Sequence, residues 1–257
     1  MNYQIAVHTD VGIKKDTNQD SLCIKQAETE KGTILLAIIC DGMGGLEKGE
    51  VASATVINAF SVWFEEELPI ILAKDSYFDE VKYRWDRIIK EQNQRIGEYG
   101  RNIKIQTGTT LSALLIFEDG KYLIGHVGDS RVYKITNSTI ETLTLDQTLM
   151  AEMVRNGRMT QEEAERDPRR NMLLQCIGAS KTVNPDFVDG TVSENECYML
   201  CSDGFRHMIT EDEIKAAFEP SVNTTEEQMK SNIIKLIELN KERNETDNIS
   251  AILIKTV

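Results

Sequence analysis

Five aspartates stand at the edges of apolar runs. Residues 34–40, seven uninterrupted apolar side chains, lead directly into Asp41-Gly42, and residues 198–201 reach Asp203-Gly204 through Ser202. Residues 122–127 reach Asp129 through Gly128. Asp20 directly precedes the run that opens at Ser21, and Asp247 stands just before the closing run 249–255. Each carboxylate therefore borders a segment that should be buried, and an unpaired buried carboxylate is costly. One such aspartate reads equally well as a turn or cap residue. Five sit less easily with that reading, and the basic residues at hand are too few to neutralise them if they converge. Divalent cations are then the economical solution. The ligands would be oxygen only, carboxylates and a carbonyl such as that of Gly42, which favours Mg²⁺ or Mn²⁺. An aspartate shared between two ions would hold them about 3.5–4 Å apart, and the ions would lower the pKa of a bridging water and neutralise charge on a phosphoryl group. The spacing alone thus points to a metal-dependent phosphoryl hydrolase. Zinc is not supported: His8, His126 and His207 are scattered, and Cys197 with Cys201 has the spacing of one strand face.

The elements that must position these residues are legible from periodicity. Strands are expected at residues 4–9, 21–25 and 33–40. Two helices follow: Ala52, Val56, Ala59, Phe60 and Trp63 recur at helical intervals, as do Val81, Trp85, Ile88, Ile89 and Ile96, so both tryptophans read as core. Strands 111–117 and 122–127 flank the turn at Asp119-Gly120, and strands 131–135 and 140–145 flank a turn at 136–138. A more polar helical stretch, 148–166, carries a capping box at Thr160 and Glu163. Strands near 187–192 and 197–201 come next. A second capping box, Thr210 with Glu213, opens a helix; Met229, Ile233, Leu236 and Ile237 mark another. Hairpin-joined strand groups separated by helices imply antiparallel sheets and not a parallel βαβ sheet. The expected unit is one domain, 1–257, with a polar flap inserted at roughly 148–181.

Composition narrows the partners. A chain of 257 residues can bury one large core. Its longest apolar run is far below the roughly 18 residues that span a bilayer, so no membrane partner is expected. The net charge of −13 argues against a nucleic-acid backbone, which needs clustered Lys and Arg. Met1-Asn2-Tyr3-Gln4 shows no secretory signal, and five cysteines is an odd number, so reduced thiols in a cytoplasmic monomer are expected.

Taken together, the short motifs resemble the protein phosphatase type 2C family, the metal-dependent Ser/Thr phosphatases, and its compact bacterial members in particular. The likeness runs from Thr9 to Ile254 with the motifs in order. They are Thr9-Asp10-Val11-Gly12 through Asn18-Gln19-Asp20, Asp41-Gly42-Met43-Gly44-Gly45, Thr107-Gly108-Thr109-Thr110, Gly128-Asp129-Ser130-Arg131, Ser202-Asp203-Gly204 and Thr246-Asp247-Asn248. The resemblance implies an α+β fold, a four-layer α-β-β-α sandwich of two stacked antiparallel sheets flanked by helices, with the flap inserted. It also implies roles. Asp41 would bridge two metals, assisted by the Gly42 carbonyl; Asp203 and Asp247 would complete one shell, Asp20 would serve the second ion, and Asp129 with Asp203 would hold a third. Asn248 would support the loop around Asp247. The implied substrates are phosphoserine and phosphothreonine proteins, a Ser/Thr kinase or its targets among them.

The chain departs from the family pattern in four places. Lys15 stands where the opening motif usually has a phosphate-gripping Arg, keeping the charge without the planar fork. Lys14 is adjacent and could also reach. Gln19 replaces a frequent acid, Asp146-Gln147 a frequent Asp-His pair, and Met43 the His proposed as general acid in many eukaryotic members. Because Met cannot donate a proton, the resemblance leaves leaving-group protonation to a metal-bound water. These departures motivate a second reading, a catalytically weak relative that binds phosphoproteins or regulates.

Overall fold

The computed structural model describes residues 1–30, 32–43 and 48–257. Gly44 and Gly45 of the second motif lie outside the described residues.

Ten strands form two five-stranded sheets among the described residues. One sheet holds β1 (Tyr3–Asp10), β10 (Ile249–Thr256), β9 (Cys197–Cys201), β6 (Arg131–Ile135) and β7 (Ile140–Thr142), in that order. The other holds β2 (Ser21–Thr29), β3 (Gly32–Cys40), β4 (Leu111–Ile116), β5 (Lys121–Val127) and β8 (Asp186–Thr191). Every pairing is antiparallel, as the hairpin spacing predicts. The expected α-β-β-α sandwich is the one observed.

The continuous apolar run of β3 has a direct cause: both of its faces are covered. Leu35, Ala37 and Ile39 point into the layer between the sheets, where they meet Leu114, Ile124, Leu200 and Ile252. Ile34, Leu36, Ile38 and Cys40 point outward against α1 (Gly49–Glu66) and α3 (Tyr77–Ile103), which contribute Phe60, Trp63 and Trp85. Period-two alternation thus feeds two apolar layers at once, and each large side chain so buried contributes about 1.5–3 kcal/mol. The two tryptophans stack edge to face at 5.6 Å in this outer layer, as core residues. A short α2 (Leu68–Leu72), absent from the sequence reading, links α1 to α3. On the opposite face α6 (Asp203–Arg206), α7 (Glu211–Phe218) and α8 (Glu226–Glu242) cover Tyr133, Met199, Cys197 and Cys201, so the two cysteines do share one strand face.

Local signals set the connections. Gly120 adopts φ +79° and closes the β4–β5 hairpin, the conformation that Asp-Gly turns supply cheaply. The capping boxes at Thr160 and Thr210 form in both directions and open α5 (Gln161–Arg166) and α7. Between β7 and β8 the chain leaves the sheets through α4 (Leu149–Arg155) and α5 and returns along single bridges, Thr148 with Leu173 and Thr109 with Ile177. One expected strand is shorter than the apolar pattern suggests. β7 stops at Thr142, not residue 145: the Leu143 N–H still donates to the Val132 carbonyl at 2.8 Å, but the Val132 N–H turns to the Thr144 side-chain oxygen at 3.1 Å and the Leu145 carbonyl pairs with His126 Nε2 at 3.1 Å. That detour delivers Asp146.

Candidate metal and phosphate site

Antiparallel pairing brings the strand-edge aspartates to one end of the sandwich. Ser21 lies opposite Cys40, which puts Asp20 beside Asp41. Arg131 and Ala251 both lie opposite Cys201, which brings the Asp129 turn, Asp203 and the segment before β10 to the same edge. The five carboxylates act on one another there. Burial, followed by the charges of Asp20, Asp203, Asp129 and Asp247, pushes the Asp41 pKa well above the usual carboxylate range. Burial first, opposed by nearby Ser250 and Ser202 and reinforced by the charges of Asp203 and Asp247, raises Asp20 to about 7. Lys15 arrives from the loop between β1 and β2, its Nζ 3.1 Å from Asp247 Oδ1, whereas Lys14 is exposed.

Backbone and hydroxyl contacts fix these acids. The Asp41 N–H donates to Thr110 Oγ1 at 3.0 Å, and the Asp41 carbonyl accepts from the Thr110 N–H and the Thr109 hydroxyl, both at 2.9 Å. Thr110 Oγ1 pairs in turn with Ser130 Oγ at 2.7 Å. The Thr-Gly-Thr-Thr motif therefore clamps Asp41 to the loop that carries Asp129. Asn248 behaves as a loop support: its Oδ1 accepts the Gln19 N–H at 2.9 Å, and its Nδ2 donates to the Val11 and Thr17 carbonyls. Gly42 sits so tightly against this loop that a Cβ there would meet the Gln19 carbonyl oxygen at 2.5 Å.

Asp20 carries the test of fit to a cation. Both of its carboxylate oxygens are buried, and among the described residues no donor reaches them at hydrogen-bond distance. Ser202 Oγ accepts the Ser250 N–H and Ser250 Oγ pairs with Thr9 Oγ1, and the two hydroxyls stand close enough to lower the Asp20 pKa without reaching its oxygens at hydrogen-bond distance. A buried carboxylate with no donor has the chemistry of a ligand waiting for a positive charge. Among the described residues no trio of His, Cys, Asp or Glu side chains forms a ready-made cage around one point.

Asp129 differs. Burial and Asp203 push its pKa up to about 7, but Arg206 pulls the other way. Arg206 Nη2 donates to the Asp129 carbonyl at 2.9 Å and to Asp146 Oδ2 at 3.2 Å, and Arg131 grips Asp146 with two bonds of 2.8 and 2.9 Å. Burial opposes charge on Asp146, yet Arg206 and Arg131 hold its pKa below the ordinary value. Asp203 opens α6 and lies 3.5 Å from His207 Nε2, with His207 Nδ1 3.4 Å from Glu245 Oε2. Sequence reading gave Arg206, His207, Glu245, Thr109 and Thr110 no role. The two threonines stood in a quoted motif; nothing local marked the other three. Gln147 accepts the Gly128 N–H at 2.8 Å and donates to Asp186 at 2.7 Å, so it braces the turn that ends in Asp129. From the acids a cleft of about 1010 Å³ runs between α4–α5 and the 206–211 segment, lined by Arg131, Arg170 and Arg206 among others.

The chain is thus an α+β sandwich protein with acidic loops gathered at one end. The family model described as Protein phosphatase 2C matches residues 12–238, and the chain belongs to that family. It is 31% identical to protein phosphatase PhpP of Streptococcus pneumoniae over 214 residues, 82% of each chain. The serine/threonine phosphatase of S. agalactiae superposes with a TM-score of 0.84 at 30% identity, covering 100% of both chains. The catalytic domain of the serine/threonine protein phosphatase PstP, solved with two manganese ions, superposes with a TM-score of 0.78 at 26% identity, covering 98% of this chain and 97% of that one.

Proposed function

We propose that this chain, a metal-dependent Ser/Thr protein phosphatase by family, hydrolyses phosphoserine and phosphothreonine at the acidic end of its sandwich. The observation that carries this reading is Asp20, buried with two unpartnered oxygens beside Asp41, Asp203 and Asp247. Asp41 with the Gly42 carbonyl, Asp203 and Asp247 would hold one Mn²⁺ or Mg²⁺, with Asp41 shared and Asp20 serving the second. When bound, such ions supply a more acidic water as nucleophile and neutralise charge on the phosphoryl group.

The remaining work falls to the chain's own residues. Lys15 grips the substrate phosphate: its ammonium already stands beside Asp247 and, on a flexible stem, can swing from that carboxylate to an entering phosphate. The Thr109–Thr110 clamp keeps Asp41 from relaxing toward solvent. Met43 holds no proton to give a leaving group. The cleft under α4 and α5, with three arginines in its lining, suits an extended phosphorylated polypeptide, and residues 148–181 act as the flap over it in a single catalytic domain. A Ser/Thr kinase or its targets fit as substrates of a cytoplasmic, monomeric enzyme. Among the described residues no helix is long and apolar enough to cross a membrane.

The test is phosphate release from p-nitrophenyl phosphate and a phosphothreonine peptide with excess Mn²⁺. Activity should vanish with chelator and fall at least about 100-fold in Asp203→Asn. Activity indifferent to both would rule the reading out. The Lys15–Asp247 ion pair favours one alternative, a site held weak by its own lysine; a gain of about tenfold or more in Lys15→Arg would favour that version.

A further inference from the structure

We propose that Arg206 takes the place of a third cation at Asp129, so that this phosphatase works with two ions and a tethered guanidinium. This rests on the two-ion reading above and stands against the expectation of an ion between Asp129 and Asp203.

Two guanidiniums and two carboxylates meet at this corner. Arg206 Nη2 lies 4.0 Å from Asp129 Oδ2, donates to the Asp129 carbonyl at 2.9 Å and reaches Asp146 Oδ2 at 3.2 Å. Arg131 holds the two oxygens of Asp146 in a fork. Two guanidiniums thus face Asp129 and Asp146, with Glu211 3.6 Å from Arg131 Nη1, so this corner carries its own cations. The Asp129 and Arg206 side chains are only 7% and 13% exposed, so solvent screens the pair little. A divalent ion on Asp129 Oδ2 would sit about 2 Å from an oxygen that already has, 4.0 Å away, a guanidinium that cannot lose its proton.

Arg206 cannot step aside easily. It lies three residues after Asp203 on the same short helix, so the turn that brings Asp203 to the cluster brings the guanidinium too. Its Nε is buried without a partner, which leaves the Nη edge as its whole anchorage. Asp20 is the contrast within the same cluster, as among the described residues no donor meets its oxygens at hydrogen-bond distance. One side of the cluster needs added cations; the other has one built in. A fixed cation here would also make the site's third charge independent of metal supply.

Counting manganese bound to the full-length protein tests this, by calorimetry and by the electron paramagnetic resonance of free Mn²⁺ at pH 8. Wild type and Asp129→Asn should both take up two ions. Arg206→Met should gain a third ion at least about tenfold tighter than any third uptake by wild type, and Arg206→Met with Asp129→Asn should lose it. Arg206→Lys, which keeps the charge, should stay at two. A third ion in wild type that Asp129→Asn removes would overturn the proposal, as would a folded Arg206→Met that gains none. If Arg206→Met does not fold, the wild-type and Asp129→Asn pair decides alone. No uptake at all by wild type is a separate result, which would sink the two-ion reading and this inference with it.

Discussion

Lys15 Nζ lies 3.1 Å from Asp247 Oδ1, so residues 232 positions apart in the chain meet as an ion pair at the acidic end of the sandwich. Both side chains keep partial exposure, 27% and 37%, and an exposed pair of this kind contributes little stability. Its value is positional: it parks a phosphate-binding ammonium beside the acids.

Lys15→Met should therefore leave thermal stability nearly unchanged and lower kcat/KM on a phosphothreonine peptide by about 10- to 100-fold, the effect of losing one charge-assisted hydrogen bond of about 1.5–3 kcal/mol. Lys15→Arg should retain activity. Equal kcat/KM in wild type and Lys15→Met would remove Lys15 from phosphate binding.

The acids also set a pH dependence. Asp20 and Asp129 both titrate near 7 in the folded, ion-free protein, above the ordinary 3.8. The folded state then binds protons that the unfolded chain has released, so the stabilising contribution is complete below about pH 4 and is lost as pH rises through 7. Because the acids interact, they titrate as a set. In chelator, the urea midpoint should fall from pH 5 to pH 8, and saturating Mn²⁺ should restore more stability at pH 8 than at pH 5. Asp20→Asn should flatten the ion-free slope. A midpoint that rises with pH in chelator would contradict the burial of these carboxylates.

Gly204 makes a sharper packing test. A Cβ at this position would meet the Asn248 carbonyl oxygen at 2.3 Å and the Asp247 Cβ at 3.4 Å. Gly204→Ala should cost about 1–3 kcal/mol in urea denaturation. It should also weaken manganese binding, because Asp203 and Asp247 flank the clash. Wild-type stability together with wild-type manganese affinity would show that the two loops do not pack as described.

Much of this was legible in the sequence because local rules carried it. Strand alternation around residues 34–40, the Asp-Gly turn at 119–120 and the Thr160 and Thr210 capping boxes each act within a few residues. Antiparallel connectivity then made convergence of the strand-edge aspartates a matter of which end they occupied. The remainder depended on contacts that no local pattern encodes. Arg206 gains its meaning from Asp129 and Asp146, 77 and 60 residues away. His126 is not a stray histidine but is buried between Ser112 and the Leu145 carbonyl, the contact that helps end β7 early. The four-residue α6 is too short for periodicity to reveal; Asp203 opens it as a first-turn acid.

The central claim is that distant carboxylates share cations in one pocket, and anomalous diffraction from crystals grown with Mn²⁺ tests it most directly. The expected result is two manganese peaks at coordination distance from Asp41, with Asp203 and Asp247 on one and Asp20 serving the other. Peaks lying away from Asp41, or no peak at saturating Mn²⁺, would contradict it.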